Sequence, residues 1–297
     1  MSATDRLFEL PEELAIDTEA VRREIVEFTR GYLRRAGFGR LLLGLSGGID
    51  SALTAFLAAE AVGPENVLGV MMPYRTSSPQ SVEHARLVVE RLGCASRLVE
   101  ITAMVEGYFG REGEIGAGGE VARGATPLRR GNLAARLRMA VLYDRSVVWN
   151  GLVAGTGNKT EAMIGYTTMY GDNACAFAPI GDLYKSQVRQ LAASLGVPDE
   201  IIRKAPSADL WPGQTDEGEA GFSYPELDRM LYWMLDRGRS DGELAAMGFA
   251  EARIRRLHQM IAASEFKRNV PPVALLRLER SDPADPTSVL RPGPAKR

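Results

Sequence analysis

The chain has 297 residues, 45% of them hydrophobic and 25% charged, with a formal net charge of −2; these are ordinary values for a soluble globular protein with room for a substantial core, and the missing basic surplus argues against nucleic acid as the main partner. Two cysteines outside any CxxC pair and two histidines argue against a zinc or redox centre. No apolar run approaches the length of a membrane span, and the acidic start MSATDRLFELPEEL is not a secretory signal, so a cytoplasmic protein with no membrane partner is expected.

Residues 12–37 carry apolar Val21, Ile25, Phe28, Tyr32 and Leu33 at helical spacing. LLLGL at 41–45 then reads as a buried parallel strand running into a glycine-rich turn. A helix is predicted at about 50–62 and a second strand at 67–73. Pro79 is placed to open the next helix, to about Leu92, and SRLVEI at 96–101 reads as a third strand. Residues 110–126 are glycine-rich without periodicity and predict a mobile loop.

A helix follows at about 132–148, then a fourth strand, GLVAGT, at 151–156. Lys185–Leu195 is a helix closed by Gly196 and Pro198. Residues 206–221 are polar and irregular and predict a second loop, and helices at about 224–236 and 250–265 complete a single domain over 1–280. The proline-bearing tail, 281–297, is expected to be disordered. Strands alternating with helices specify an α/β fold, a doubly wound, mostly parallel sheet with helices on both faces. Ligands of such sheets lie at the carboxyl ends of the strands.

The segment Gly44-Leu45-Ser46-Gly47-Gly48-Ile49-Asp50-Ser51 stands at a predicted strand-to-helix junction. Its paired glycines allow main-chain N–H groups to approach an anion, and the following helix turns its positive end toward the same place. Ser46 and Ser51 add hydroxyl donors. A carboxylate at Asp50 beside phosphate makes sense with a metal ion between them. No Gly-Lys-Ser/Thr follows, so this is not a Walker A loop. A plain glycine turn with a serine cap is the competing account.

SGGIDS resembles the SGGxDS loop of the ATP pyrophosphatase superfamily, whose fold is Rossmann-like (adenine nucleotide alpha hydrolase-like) and whose members adenylate carboxyl or carbonyl oxygens. Within that superfamily the chain resembles the NAD synthetases, over about residues 15–275. RGNLAARLRM at 130–139 is similar to the family's GNxxARxRM helix, which implies a substrate contact for Arg136. GTGNKTEAMIGYTTMYGD at 155–172 is similar to the GTxNxxE…GYxTxYGD block. That likeness implies an ATP contact for Thr156, a second metal ligand in Glu161, and a residue that receives or directs ammonia in Asp172. PIGDLYKSQVRQLA at 179–192 implies an ATP-phosphate lysine in Lys185. PSADLWPGQTDE at 206–217 resembles a closing loop with an ATP-contacting hydroxyl at Ser207, and EFKRNVPP at 265–272 implies substrate contacts for Phe266 and Lys267.

Taken singly, these residues have plain alternatives: Arg136 on an exposed helix face, Glu161 in a first turn, Asp172 in a turn. The family's usual residues are replaced by Met71, Met169, Ala176 and Phe266. The resemblance implies an ammonia-dependent ligase acting on ATP and deamido-NAD with Mg²⁺, and a homodimer. The family's glutaminase domain has no counterpart in this sequence. A GMP synthetase ATPase subunit and a non-catalytic ATP-binding module are the rival readings.

Overall fold

The computed structural model describes residues 10–110, 126–207, 215–269 and 271–274. The expected helix over 12–37 is divided. A short 3₁₀ turn, Glu12–Leu14, precedes helix α1, Thr18–Ala36, because Asp17 caps α1 by accepting the N–H groups of Glu19 and Ala20. There follow β1 (Leu41–Gly44), α2 (Ile49–Val62), β2 (Val67–Met71), α3 (Pro79–Leu92), β3 (Ala95–Leu98), α4 (Thr102–Phe109) and α5 (Pro127–Trp149). The second half contributes β4 (Leu152–Val153), α6 (Lys159–Ile164), α7 (Lys185–Ser194), α8 (Asp199–Ile202), α9 (Asp216–Ala220), α10 (Tyr224–Leu231), α11 (Asp241–Ala246) and α12 (Glu251–Ala263).

The four strands are parallel in the order β3-β2-β1-β4. Along β1, alternate residues point to opposite faces. Leu41 and Leu43 join the core made with α1, α2, α3 and α7, while Leu42 joins the core made with α4 and α5. Both faces are therefore covered, as an all-parallel sheet requires. A third apolar cluster packs Leu14, Ile164, Tyr184, Leu227, Leu231 and Leu257 beside the sheet. It supports the segments that carry the second half of the site.

Other expectations also need correction: the third strand ends at Leu98 rather than 101. The fourth strand ends at Val153 rather than 156, because the chain leaves β1 and pairs Ala154 with Phe177. The helix expected to run to 236 passes into a π-helical turn, Tyr232–Asp236, after Leu231. Residues 216–220, read as loop, form α9, with Thr215 as its cap. Helix α11 was not foreseen, although Ser240 and Glu243 form its capping box. The loop expected at 110–126 lies outside the described residues except at its two ends, as does the tail at 281–297.

Candidate active site

The order β3-β2-β1-β4 places the reversal of the sheet between β1 and β4, where a crevice opens beyond the strand ends. A cleft of about 590 Å³ lies there, within the usual range for a small-molecule site. The segment after β1 forms one wall and that after β4 another, with Gly44, Ser46 and Asp50 facing Gly155, Thr156 and Glu161.

The loop is built as its sequence indicates. Gly47 has φ +74, and a Cβ there would lie 2.0 Å from the main-chain oxygen of Ser81. Only glycine fits such a conformation pressed against backbone. Gly48 precedes α2 and supplies no side-chain cap, so the N–H groups of the first turn remain available to an anion. The hydroxyls of Ser46 and Ser51 lie 3.1 Å apart, and Ser51 also donates to the carbonyl of Gly48 at 2.9 Å. These bonds hold the loop in shape.

Opposite this loop, one cation sits between two carboxylates. Lys185 Nζ is 2.5 Å from Asp50 Oδ2 and 3.3 Å from Glu161 Oε1, with its side chain almost wholly buried. Burial alone would lower the pKa of this lysine, but Asp50 and Glu161 outweigh it and the net direction is upward. Burial pushes the Glu161 carboxyl up, Lys185 opposes this and Asp50 adds to it. The two acids thus demand a positive partner. No cluster of three or more His, Cys, Asp or Glu suited to a metal occurs among the described residues. Two carboxylates beside an anion-binding loop fit Mg²⁺, which takes one or two protein carboxylates and completes its shell with substrate phosphates and water.

Asn158, fully buried, ties the two acids together. Its amide nitrogen donates to Asp50 Oδ1 at 2.9 Å, and its amide oxygen accepts the N–H of Glu161 at 3.0 Å. Glu161 Oε2 in turn accepts the N–H of Asn158. Asp172 lies farther along the same cleft and accepts the N–H of Thr168 at 2.7 Å. Its carboxylate is open to the cleft, but the surrounding walls desolvate it and push its pKa up, against the Thr168 bonds and the charge of Lys267.

The matched family model, NAD synthase, covers residues 21–271. The chain is 50% identical over 261 residues to the NH(3)-dependent NAD(+) synthetase of Trichlorobacter lovleyi, spanning 88% of this chain and 92% of that protein. The chain belongs to the NAD synthase family. Among solved structures, NMN synthetase from Francisella tularensis is 30% identical with a TM-score of 0.76. An NH3-dependent NAD synthetase from Campylobacter jejuni is 31% identical with a TM-score of 0.73. Each covers 88% of this chain and 100% of its own. As a member of the NAD synthase family the chain is an enzyme, a carbon–nitrogen ligase, and neither rival reading is favoured.

Most positions that the family likeness singles out line this cleft, including Leu45, Gly48, Ile49, Ser51, Ser207 and Lys267. Gly47 shapes the loop from behind. Two further positions do not reach the cleft. Arg136 is exposed and donates to the carbonyl of Met169, whereas Arg138 lines the cleft and donates to the carbonyl of Met72. Phe266 is 57% exposed and lies outside the wall. Lys267 does reach it, but donates to the carbonyls of Gly165 and Thr167 at 2.8 and 2.7 Å. The sequence reading passed over Asn158, Asn132, Lys204 and Asp216, which also serve this site; all but the fully buried Asn158 line the cleft. For Asn158 the signal was present, since Asn-x-x-Glu is a capping box.

Proposed function

We infer that the chain is an ammonia-dependent NAD synthetase that adenylates the nicotinate carboxylate of deamido-NAD with ATP and then amidates it. The observation that carries this reading is Lys185 held between Asp50 and Glu161 opposite an anion-binding loop, with Asp172 in the same cleft. Two negative partners, a carboxylate and the α-phosphate of ATP, have to meet. The loop N–H groups and Lys185 offset their repulsion. Asp50 and Glu161 are the residues that would hold Mg²⁺, which when bound supplies further neutralisation of phosphate charge.

The substrate carboxylate oxygen attacks the α-phosphorus, the bond to the β-phosphate oxygen breaks, and pyrophosphate leaves. Ammonia then attacks the acyl carbon and AMP departs with the former carboxylate oxygen. The attacking nitrogen sheds a proton, and Asp172 is the group that accepts it. Thr156 and Ser207, both in the lining of the cleft, are ATP contacts, and Lys267 fixes the turn that precedes Asp172.

No described helix is long and apolar enough to cross a membrane, and both cysteines are free thiols, which supports a cytoplasmic setting. A homodimer is supported by the outer face of α5, where Val147 and Val148 are 81% and 75% exposed. Such apolar exposure marks contact surfaces, and light scattering tests it. The deciding assay offers purified protein ATP, Mg²⁺ and either deamido-NAD or nicotinate mononucleotide, with ammonium or glutamine as nitrogen donor. NAD from deamido-NAD and ammonium, lost in Asp50→Ala, is the expected result. Amidation of the mononucleotide in preference to the dinucleotide, or of neither, overturns the substrate assignment.

A further inference from the structure

Behind the cleft, one carboxylate is buried where packing alone would have used a leucine. Asp228 is wholly inaccessible to solvent, and its helix neighbours Leu227, Met230 and Leu231 are buried apolar residues. An ionisable group in such a place is costly unless its oxygens are fully engaged. They are. Oδ1 accepts the hydroxyl of Thr160 at 2.5 Å, and Oδ2 accepts both the N–H and the hydroxyl of Ser186 at 2.7 Å.

The identity of these partners is informative. Thr160 directly precedes Glu161, and Ser186 directly follows Lys185. The hydroxyl oxygen of Thr160 also accepts the N–H of Lys185 at 3.0 Å. Helix α7 begins at Lys185, and Asp228 and Thr160 take the N–H groups of its first two residues. These are orphan donors of the first turn, and here two other helices satisfy them. Asp228 on α10 therefore bonds at once to α6 and α7, at the residues adjoining Glu161 and Lys185. The arrangement fixes the rotation and advance of α7 relative to α6.

We propose that Asp228 is a positioning residue which, through Thr160 and Ser186, sets Glu161 against Lys185 so that the pair receives a metal–phosphate group. The proposal rests on the assignment of Glu161 and Lys185 to the ATP phosphates. Asp228 does not line the cleft; its hydrogen bonds act through Thr160 and Ser186, while the charge of nearby Arg189 favours its ionised form. Outer partners of this kind commonly matter about 10–100-fold in metal affinity or activity.

The test compares Asp228→Asn, Thr160→Val and Ser186→Ala with Leu231→Ala, a cavity in the same helix that lowers stability without touching the network. Thr160→Val keeps the shape of the side chain and guards against a fold failure in Asp228→Asn. Mn²⁺ binding is measured by electron paramagnetic resonance with a non-cleavable ATP analogue present, alongside thermal melting and NAD formation. The expected result is Mn²⁺ affinity about tenfold weaker in the network variants, lower kcat, and an unchanged KM for ammonia. Leu231→Ala melts earlier but binds Mn²⁺ as the parent does. If the network variants merely melt earlier and keep parental Mn²⁺ affinity, Asp228 is structural and the proposal falls. Failure of the parent protein to form NAD would sink the proposed reaction instead, while the Mn²⁺ comparison would still judge the positioning role.

Discussion

Replacing Gly47 with alanine separates two reasons why glycine stands in the phosphate loop. The first is conformational: φ is +74, a region that costs an L side chain about 1–2 kcal/mol. The second is steric. The added Cβ would lie 2.0 Å from the Ser81 oxygen and 2.8 Å from its carbonyl carbon, whereas carbon and oxygen in contact prefer roughly 3.3–3.6 Å. The obstacle is backbone at the start of α3, so the loop must move by about 1 Å. A shift of that size near reacting groups costs about 10²-fold in rate.

Gly37→Ala is the natural control, because Gly37 has φ +77 and nothing within 4 Å of the new Cβ. Gly48→Ala is the second, with a contact of 3.2 Å to the Ser46 hydroxyl, a side-chain atom rather than backbone, and no positive φ. Melting and ATP–pyrophosphate exchange are measured on all three. Gly37→Ala should melt about 2–4 °C lower per kcal/mol lost and exchange normally. Gly48→Ala should change exchange only severalfold, and Gly47→Ala should lose it by about two orders of magnitude. Exchange at the parental rate in Gly47→Ala would refute the reasoning about the loop.

Asn158→Asp keeps an oxygen to cap α6 but loses the donor to Asp50 and adds a negative charge, so Mg²⁺ half-saturation measured kinetically should rise about tenfold or more. Burial raises the pKa of Asp172; a carboxyl that accepts a proton works only when ionised, so activity should be low at acid pH and rise through a limb above the usual carboxylate range. That limb is read from pH profiles at constant free ammonia, and Asp172→Asn should abolish it along with most of the rate. Arg268 donates to the carbonyls of Ala162, Met163 and Ile261 and to the Ser264 hydroxyl; Arg268→Ala should destabilise by about 2 kcal/mol in urea titration with little change in KM for ATP.

The strand–loop–helix unit was legible because its apolar run and paired glycines follow from backbone geometry alone. Asp50 was legible from the loop's own chemistry, whereas Glu161 and Lys185 were found through the family likeness, and the structure brings the three within bonding distance of one another. Arg136 was preferred to Arg138 because which arginine of RLR faces the cleft depends on the rotation of α5. Asn132, Ala135, Met139 and Leu142 all line the cleft and form one stripe at helical spacing. Arg136 and Arg138 flank that stripe at equal angles, so a helical projection does not choose between them; only their bonds, to the carbonyls of Met169 and Met72, tell them apart. Asp228 was invisible for a different reason: its partners, Thr160 and Ser186, are remote in sequence, and nothing local marks an acid as a helix cap for another element.

The parallel order of the sheet also dictates when the site can come into being. Leu41 pairs with nearby Val67, and Leu68 with Ala95, but Leu41 must also find Leu152. Closing that roughly fourfold longer loop costs about 1 kcal/mol more in chain entropy, and such distant pairings are made slowly. Asn158 and Asp50, 108 residues apart, and Lys185 and Asp50, 135 apart, meet only after it. A chain emerging from the ribosome can thus shape its glycine loop early, yet Asp50 meets Asn158 and Lys185 only once the second half has folded.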